Sequence, residues 1–263
     1  MIEDKFTKSN FIRVSQEALD FLKALDPVGV KGDPVRGNLV FLNHHRNSST
    51  FLSIKYLVER QRVADIYSLS RSMFESIISM ALLSKQLIPQ DIERYQDFQY
   101  IEIYKTYNHL KQIGLERLSG VSASEVGFLN SKRNEYVSKW GRSAATWTGK
   151  PLEQNVKLVD EAYAPTCNEE HFYEYLYCQV YRKGSQAAHS SFGGLAKSVE
   201  VNRVMIDDVP LLKFKASQPH LIFSCFHSLL VFLSSARFLG YIAGRKDVED
   251  YFQKTARYIV SEE

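Results

Sequence analysis

The chain has 263 residues, 44% of them hydrophobic, enough for one large domain with a substantial buried core. Its 33 Lys and Arg against 30 Asp and Glu leave a net charge of +3, without the strongly basic footprint of a dedicated duplex-DNA binder. Three cysteines, Cys167, Cys178 and Cys225, show no CxxC or Cys/His ligand spacing, so neither a disulfide framework nor a zinc site is indicated, and a reducing cytoplasm fits best.

The first residues, MIEDKFTKSNFIRV, mix acids with bases and contain no apolar run, so they do not read as a signal peptide. Asn10 to Leu25 repeats apolar residues at helical spacing, with Ser9 or Asn10 as its cap. PVGVKGDPVRG, 27–37, reads as a loop. Asn38 to Arg60 is a second helical segment that the polar run NHHRNSST either interrupts or decorates. His44 and His45 are adjacent, about 100° apart on a helix, and so are not a paired ligand set. They read as solvent-side or capping groups.

Residues 63–87 form the clearest helix. Between Asp65 and Lys85 its only charges are Arg71 and Glu75, at i and i+4, in a narrow stripe with Ser68, Ser72 and Ser79. Either this stripe faces water and the pair is an ordinary surface one, or it is buried, where an ion pair must be fully hydrogen-bonded to be tolerated. A helix starting at Pro89 to Asp91 and running to Ile113 uses its tyrosines as core filler. Gly114 and Gly120 bracket a turn, and Ser124 with Glu125 opens a helix through Val137. Lys132, Arg133, Lys139, Arg142 and Lys150, facing only Glu135, make a candidate phosphate-contact cluster. In the loop 141–151 Trp147 is an anchor into the bundle. A short helix from Leu152 to Tyr163 follows, broken by Pro165.

In HFYEYLYCQVYRKGSQAAHSSFGG, 171–194, Arg182, Ser185, Gln186 and His189 fall at i, i+3, i+4 and i+7 on one helical face. Val199–Met205 and Leu211–Phe214 can pair as a hairpin with Asp207 and Asp208 near its turn. From Ala216 to Ala236 there is no Asp, Glu, Lys or Arg, a length that nearly spans a bilayer. Pro219, His220, His227 and several serines interrupt it, which suits the central helix of a bundle rather than a membrane span. An amphipathic helix from Asp247 to Val260 closes the chain. The expectation is a mainly α protein: one helical domain over 1–263, a multi-helix bundle with a small β-hairpin at about 199–215 and C-terminal helices over about 219–260. Helices 63–87 and 169–191 are expected to face each other, bringing Arg71 and Glu75 to Arg182, Ser185 and His189.

No GxxxxGK, HExxH, GxSxG or GxGxxG occurs. An arginine two turns before a histidine can hold a phosphate oxygen while the imidazole exchanges a proton. That is the minimum apparatus for metal-independent RNA cleavage: His189 takes the ribose 2′-hydroxyl proton, the oxygen attacks phosphorus, and Arg182 stabilises the phosphorane. DNA, lacking that hydroxyl, is spared. In this scheme Glu75 orients His189, and Arg71 balances Glu75 or adds a phosphate contact. Ser185, Tyr181, Lys150 and Arg142 are the substrate-binding candidates. No metal or cofactor is called for.

Three blocks, RSMFESIISMALL at 71–83, TWTGKPLEQ at 146–154 and YEYLYCQVYRKGSQAAHSS at 173–191, together resemble an uncharacterised, all-helical bacterial family, a domain of unknown function. Its pattern is an Arg-x3-Glu helix, a Trp-x-Gly-Lys loop and a Tyr-Arg, Ser, His helix, and the resemblance covers about 35–200. The spacing from Arg182 to His189 is also similar to the Arg-x4-6-His signature of HEPN domains. That likeness implies a helical bundle, often a homodimer, acting as an RNase in toxin or anti-phage defence systems with an antitoxin or operon partner. Lys183 stands where active HEPN sites carry a small polar residue, and Gly184 lies inside the motif. The rival expectation is a non-catalytic helical module that binds a nucleotide, RNA or protein partner, its polar residues forming a structural network. Both place the protein in the cytoplasm, away from a membrane.

Overall fold

The computed structural model describes residues 7–23, 32–141, 146–167, 171–189, 199–206 and 209–260. The chain is mainly helical, with a small two-stranded antiparallel sheet towards its C-terminus. In order come α1 (Lys8–Lys23), α2 (Pro34–Glu59), α3 (Val63–Lys85), α4 (Asp91–Gln112), a 3-10 turn at Glu116–Ser119, α5 (Ala123–Trp140) and α6 (Leu152–Cys167). Then follow α7 (Phe172–Leu176), a π-helical segment (Tyr177–Arg182), α8 (Lys183–Ala188), β1 (Val199–Ile206), β2 (Val209–Ala216), α9 (Gln218–Ala243) and α10 (Lys246–Val260).

α9 is the central element. Nearly every residue from Ser224 to Ala243 is buried, against α1, α2, α3 and α10. The apolar stretch that could by length cross a membrane is 89% buried inside the protein. Three of its buried serines return their hydroxyls to the helix's own carbonyls, Ser224 to Leu221, Ser228 to Cys225 and Ser234 to Leu230, so a polar composition is compatible with a dry interior. Phe51 of α2 stacks on Phe232 with ring centroids 4.2 Å apart.

Several boundaries differ from expectation for identifiable reasons. α2 begins inside the stretch assigned to a loop, because Asp33 accepts hydrogen bonds from Val35 and Arg36 N–H and Pro34 takes the first helical turn. The NHHRNSST run does not interrupt it: Val40, Asn43, His44, Asn47, Phe51 and Ile54 form one inward stripe. His44 is therefore not a solvent-side group. Its Nδ1 bonds Ser235 of α9 at 2.9 Å, and burial holds its pKa down at about 4. His45 is exposed. α6 runs through Pro165 to Cys167, since a proline in the last turn removes a single helical hydrogen bond. The strands pair as expected but extend further, from Val199↔Ala216 to Ile206↔Val209; Asp207 and Asp208 lie outside the described residues.

Candidate functional site

The Arg71 stripe lines a cleft of about 810 Å³. α3 supplies one wall through Arg71, Ser72, Glu75, Ser76 and Ser79. Tyr177 and Tyr181 of the π segment, Trp147 with the start of α6, Tyr95 of α4 and Arg46 of α2 close the others. That size falls in the range of small-ligand sites.

Trp147, buried as expected of an anchor, donates from Nε1 to Ser79 Oγ at 3.0 Å and meets the Tyr95 ring edge-on at 5.2 Å. The loop carrying it is locked from both sides. Tyr136 donates its hydroxyl to Trp147 O, and Asn155 Nδ2 donates to Thr148 Oγ1. Gly149 is favoured by its φ of +72°, and the end of the Arg94 side chain occupies the space a Cβ would take. The Trp-x-Gly-Lys block is thus a device that seats an indole against α3. Asn43 accepts from Ser76 and Tyr95 hydroxyls, making a polar floor. Asn155, 2% exposed, stands behind the cleft wall with a buried Oδ1 that has no hydrogen-bond partner.

Arg71 Nε donates to Glu75 Oε1 at 3.1 Å, and its guanidinium lies 4.9 Å from the Tyr181 ring centroid. Tyr181 stacks on Tyr177 at 5.2 Å and 13°. Burial raises the Tyr177 pKa, the Glu153 carboxylate adds to this, and the Arg182 charge partly opposes it. Arg182 therefore stands near the cleft's tyrosine pair. Each cleft carboxylate has its own cation: Glu75 with Arg71, Glu102 with Lys105, Glu153 with Lys157. Arg46, bonded to Ser72 Oγ, has no carboxylate partner among the described residues. The cleft is aromatic, with one uncompensated positive end.

α3 does pack against the π segment and α8, but not through the face expected. Tyr173, Leu176, Val180 and Gly184 are buried, and Gly184 sits over Tyr67 and Arg71. Arg182, Gln186 and His189 lie on the opposite, exposed side, with Ser185 half-buried. His189 caps the C-terminus of α8 and makes no hydrogen bond with Glu75, whose partner is Arg71. Lys150 is exposed, and its backbone rather than its ammonium holds the loop. Arg142 lies outside the described residues. The basic cluster is largely spoken for: Lys132 pairs with Glu135, Lys139 with Glu93 and Glu135, and Arg133 lies over Tyr104. Glu93, Asp97 and Glu135 approach closely enough to hold an ion, but Lys139 already bridges two of them.

Tyr177, Arg46, Asn43, Tyr95 and Asn155 were not singled out from the sequence. For Asn43 a signal existed in the inward stripe of α2, whereas Arg46 lies on the exposed side of that helix and had none. For Tyr177 the π geometry had no sequence cue.

Fold and cleft together define a helical bundle with a preformed, aromatic, largely charge-compensated recess between α3 and an indole-bearing loop. The profile of the family of unknown function DUF5677 matches residues 37–204, and the chain belongs to that family. All three sequence blocks fall within this span. No curated protein and no solved structure matches the chain.

Proposed function

We propose that the protein is a helical binding module whose cleft takes a nucleotide or a base of single-stranded RNA. The observation that carries this is the Tyr177–Tyr181 stack with the Arg71 guanidinium against it, opposite the unneutralised Arg46, in a recess of ligand size. A base has a flat π-face for the tyrosines and edge groups for Ser72, and its phosphate suits Arg46. Trp147 lies at the site and reports on it. Titrating the protein with nucleoside monophosphates and a short RNA should quench its fluorescence, and Tyr181→Ala with Arg46→Ala should weaken that response. Full response in both variants would refute the assignment.

A second reading is a HEPN-like, metal-independent endoribonuclease, with Arg182 and His189 acting on RNA. It is favoured by the exposure of both side chains on one face of the helix, with Arg182 beside the cleft's tyrosines. In that case Glu75 does not orient His189 within the chain, and a homodimer, an antitoxin and a defence role follow as parts of the same proposal. Incubation with mixed RNA in EDTA separates the two readings. Cleavage abolished in a folded His189→Ala variant supports the enzyme; intact RNA with retained binding supports the module.

A further inference from the structure

A second cavity, of about 290 Å³, opens at the C-terminal end of α3 and shares no lining residue with the cleft. Four cations line it, Lys85, Arg237, Arg245 and Lys246, against the carboxylate of Glu249 alone. Arg237 is 2% exposed and donates from Nε to Glu249 Oε2 at 2.7 Å, so this carboxylate is already matched. Arg245 is matched as well, by two hydrogen bonds to Asp247. Lys85 and Lys246 have no carboxylate partner among the described residues.

The cavity is built rather than incidental. Lys85 Nζ lies 4.8 Å from the Tyr163 ring centroid and 4.3 Å from that of Tyr241, so two ring faces hold the ammonium at the cavity wall. Lys246, exposed at the first turn of α10, reaches the cavity from the other side, where the backbone that carries it is fixed. Gly244 turns the chain with φ +65°, and a Cβ at Gly240 would lie 2.6 Å from Val248 Cβ, so α10 is clamped close to α9. Two uncompensated positive charges therefore face one small space, above a buried guanidinium.

We propose that this cavity binds a phosphoryl group, as free phosphate or as a small phosphomonoester, with Lys85 and Lys246 balancing its two negative charges. A dianion satisfies both ammonium groups at once, whereas a single carboxylate leaves one unmatched. The volume lies at the small end of ligand pockets and suits such a group better than a whole dinucleotide.

The test is calorimetric titration of the full chain at constant ionic strength with inorganic phosphate and, separately, with glycerol 3-phosphate. The variants are Lys85→Gln, Lys246→Gln and, as a control that lines neither cavity, the exposed Lys111→Gln. At least one probe should bind saturably to the native chain and to Lys111→Gln. Each cavity variant should bind it about tenfold or more weakly, the scale expected on losing one charge from a phosphate contact. Saturation by both probes identifies phosphate alone as sufficient, and saturation only by the ester identifies the organic part as required; either supports the site. Failure of both probes to saturate, or unchanged affinity in Lys246→Gln, whose exposed side chain is not needed for folding, overturns it. The cleft's fluorescence response is independent of this outcome.

Discussion

Replacing Gly184 by alanine isolates what joins the exposed Arg182 face to the cleft. A Cβ on Gly184 would sit 2.5 Å from Tyr67 O and 2.7 Å from Arg71 Cβ. Neither atom is the free end of a side chain; one is helix backbone and the other is fixed to it. Restoring ordinary contact requires α8 and α3 to part by about 1 Å, in an interior packed as densely as a molecular crystal. Overpacking of this kind costs about 1–3 kcal/mol, against about 1 kcal/mol gained by exchanging glycine for alanine within a helix. The expected net effect is therefore a loss of up to about 2 kcal/mol, against the gain expected where an added methyl meets nothing. Gly127 supplies the counter-experiment: it lies on the exposed side of α5 with nothing within 4 Å of an added Cβ. Gly127→Ala should stabilise by about 0.5–1 kcal/mol. Urea unfolding at constant m-value reads both, as midpoint shifts of opposite sign. If Gly184→Ala gains stability as Gly127→Ala does, the close approach of α8 to α3 is not what holds this glycine in place.

Acid should weaken the fold through two buried histidines, His44 and His227, whose pKa values burial lowers from 6.5 to about 4. Because the folded state prefers the neutral ring, this stabilisation is complete above pH 6.5 and is lost as pH falls towards 4, by about 3 kcal/mol per histidine. Urea midpoints followed across that interval should fall less steeply in His44→Gln, and a flat native profile would refute the assignment. Asp160 accepts from Tyr173 N and Glu174 N at the start of α7, so Asp160→Ala should cost about 1–2 kcal/mol and Asp160→Asn less. An unchanged melting temperature in Asp160→Ala would show that those amides find other partners. Arg36 pairs with Asp91, which is 4% exposed; Arg36→Ala should therefore destabilise by about 3–5 kcal/mol. Removing the acid too, in Arg36→Met with Asp91→Leu, should restore much of that loss, and a double variant no better than the single one would count against a stranded charge.

Most helices could be read from the chain because their apolar spacing is regular and their ends carry ordinary signals; α5 was placed by Glu125, although Ser122 rather than Ser124 completes its capping box. The α3 stripe was legible too, since two charges in so apolar a helix must face something other than the core. What it faces was not, because the indole of Trp147 arrives from a distant loop. The orientation of α8 could have been inferred: Tyr173, Leu176, Val180 and Gly184 form an apolar stripe opposite Arg182 and His189, and burial favours the apolar side. Polar residues on two adjacent helices suggested a shared site, but hydrophobic contact, not polar likeness, decides which faces meet. His44 escaped attention for a related reason. Its neighbours are hydrophilic, while its helical phase, with Val40, Asn43 and Phe51, points inward.

The π segment gives the chain a tolerance that its regular helices lack. A residue deleted from α3 would rotate everything beyond it by about 100° and turn buried side chains outward. Tyr177–Arg182 instead holds a looser turn, which can lose one residue by tightening to α while its two flanks keep their relative orientation. Exposed Cys178 is the position at which such a loss disturbs least. Here the length of the polypeptide is adjustable, so evolution or design can change the stagger of the paired tyrosines without unseating α8 from α3.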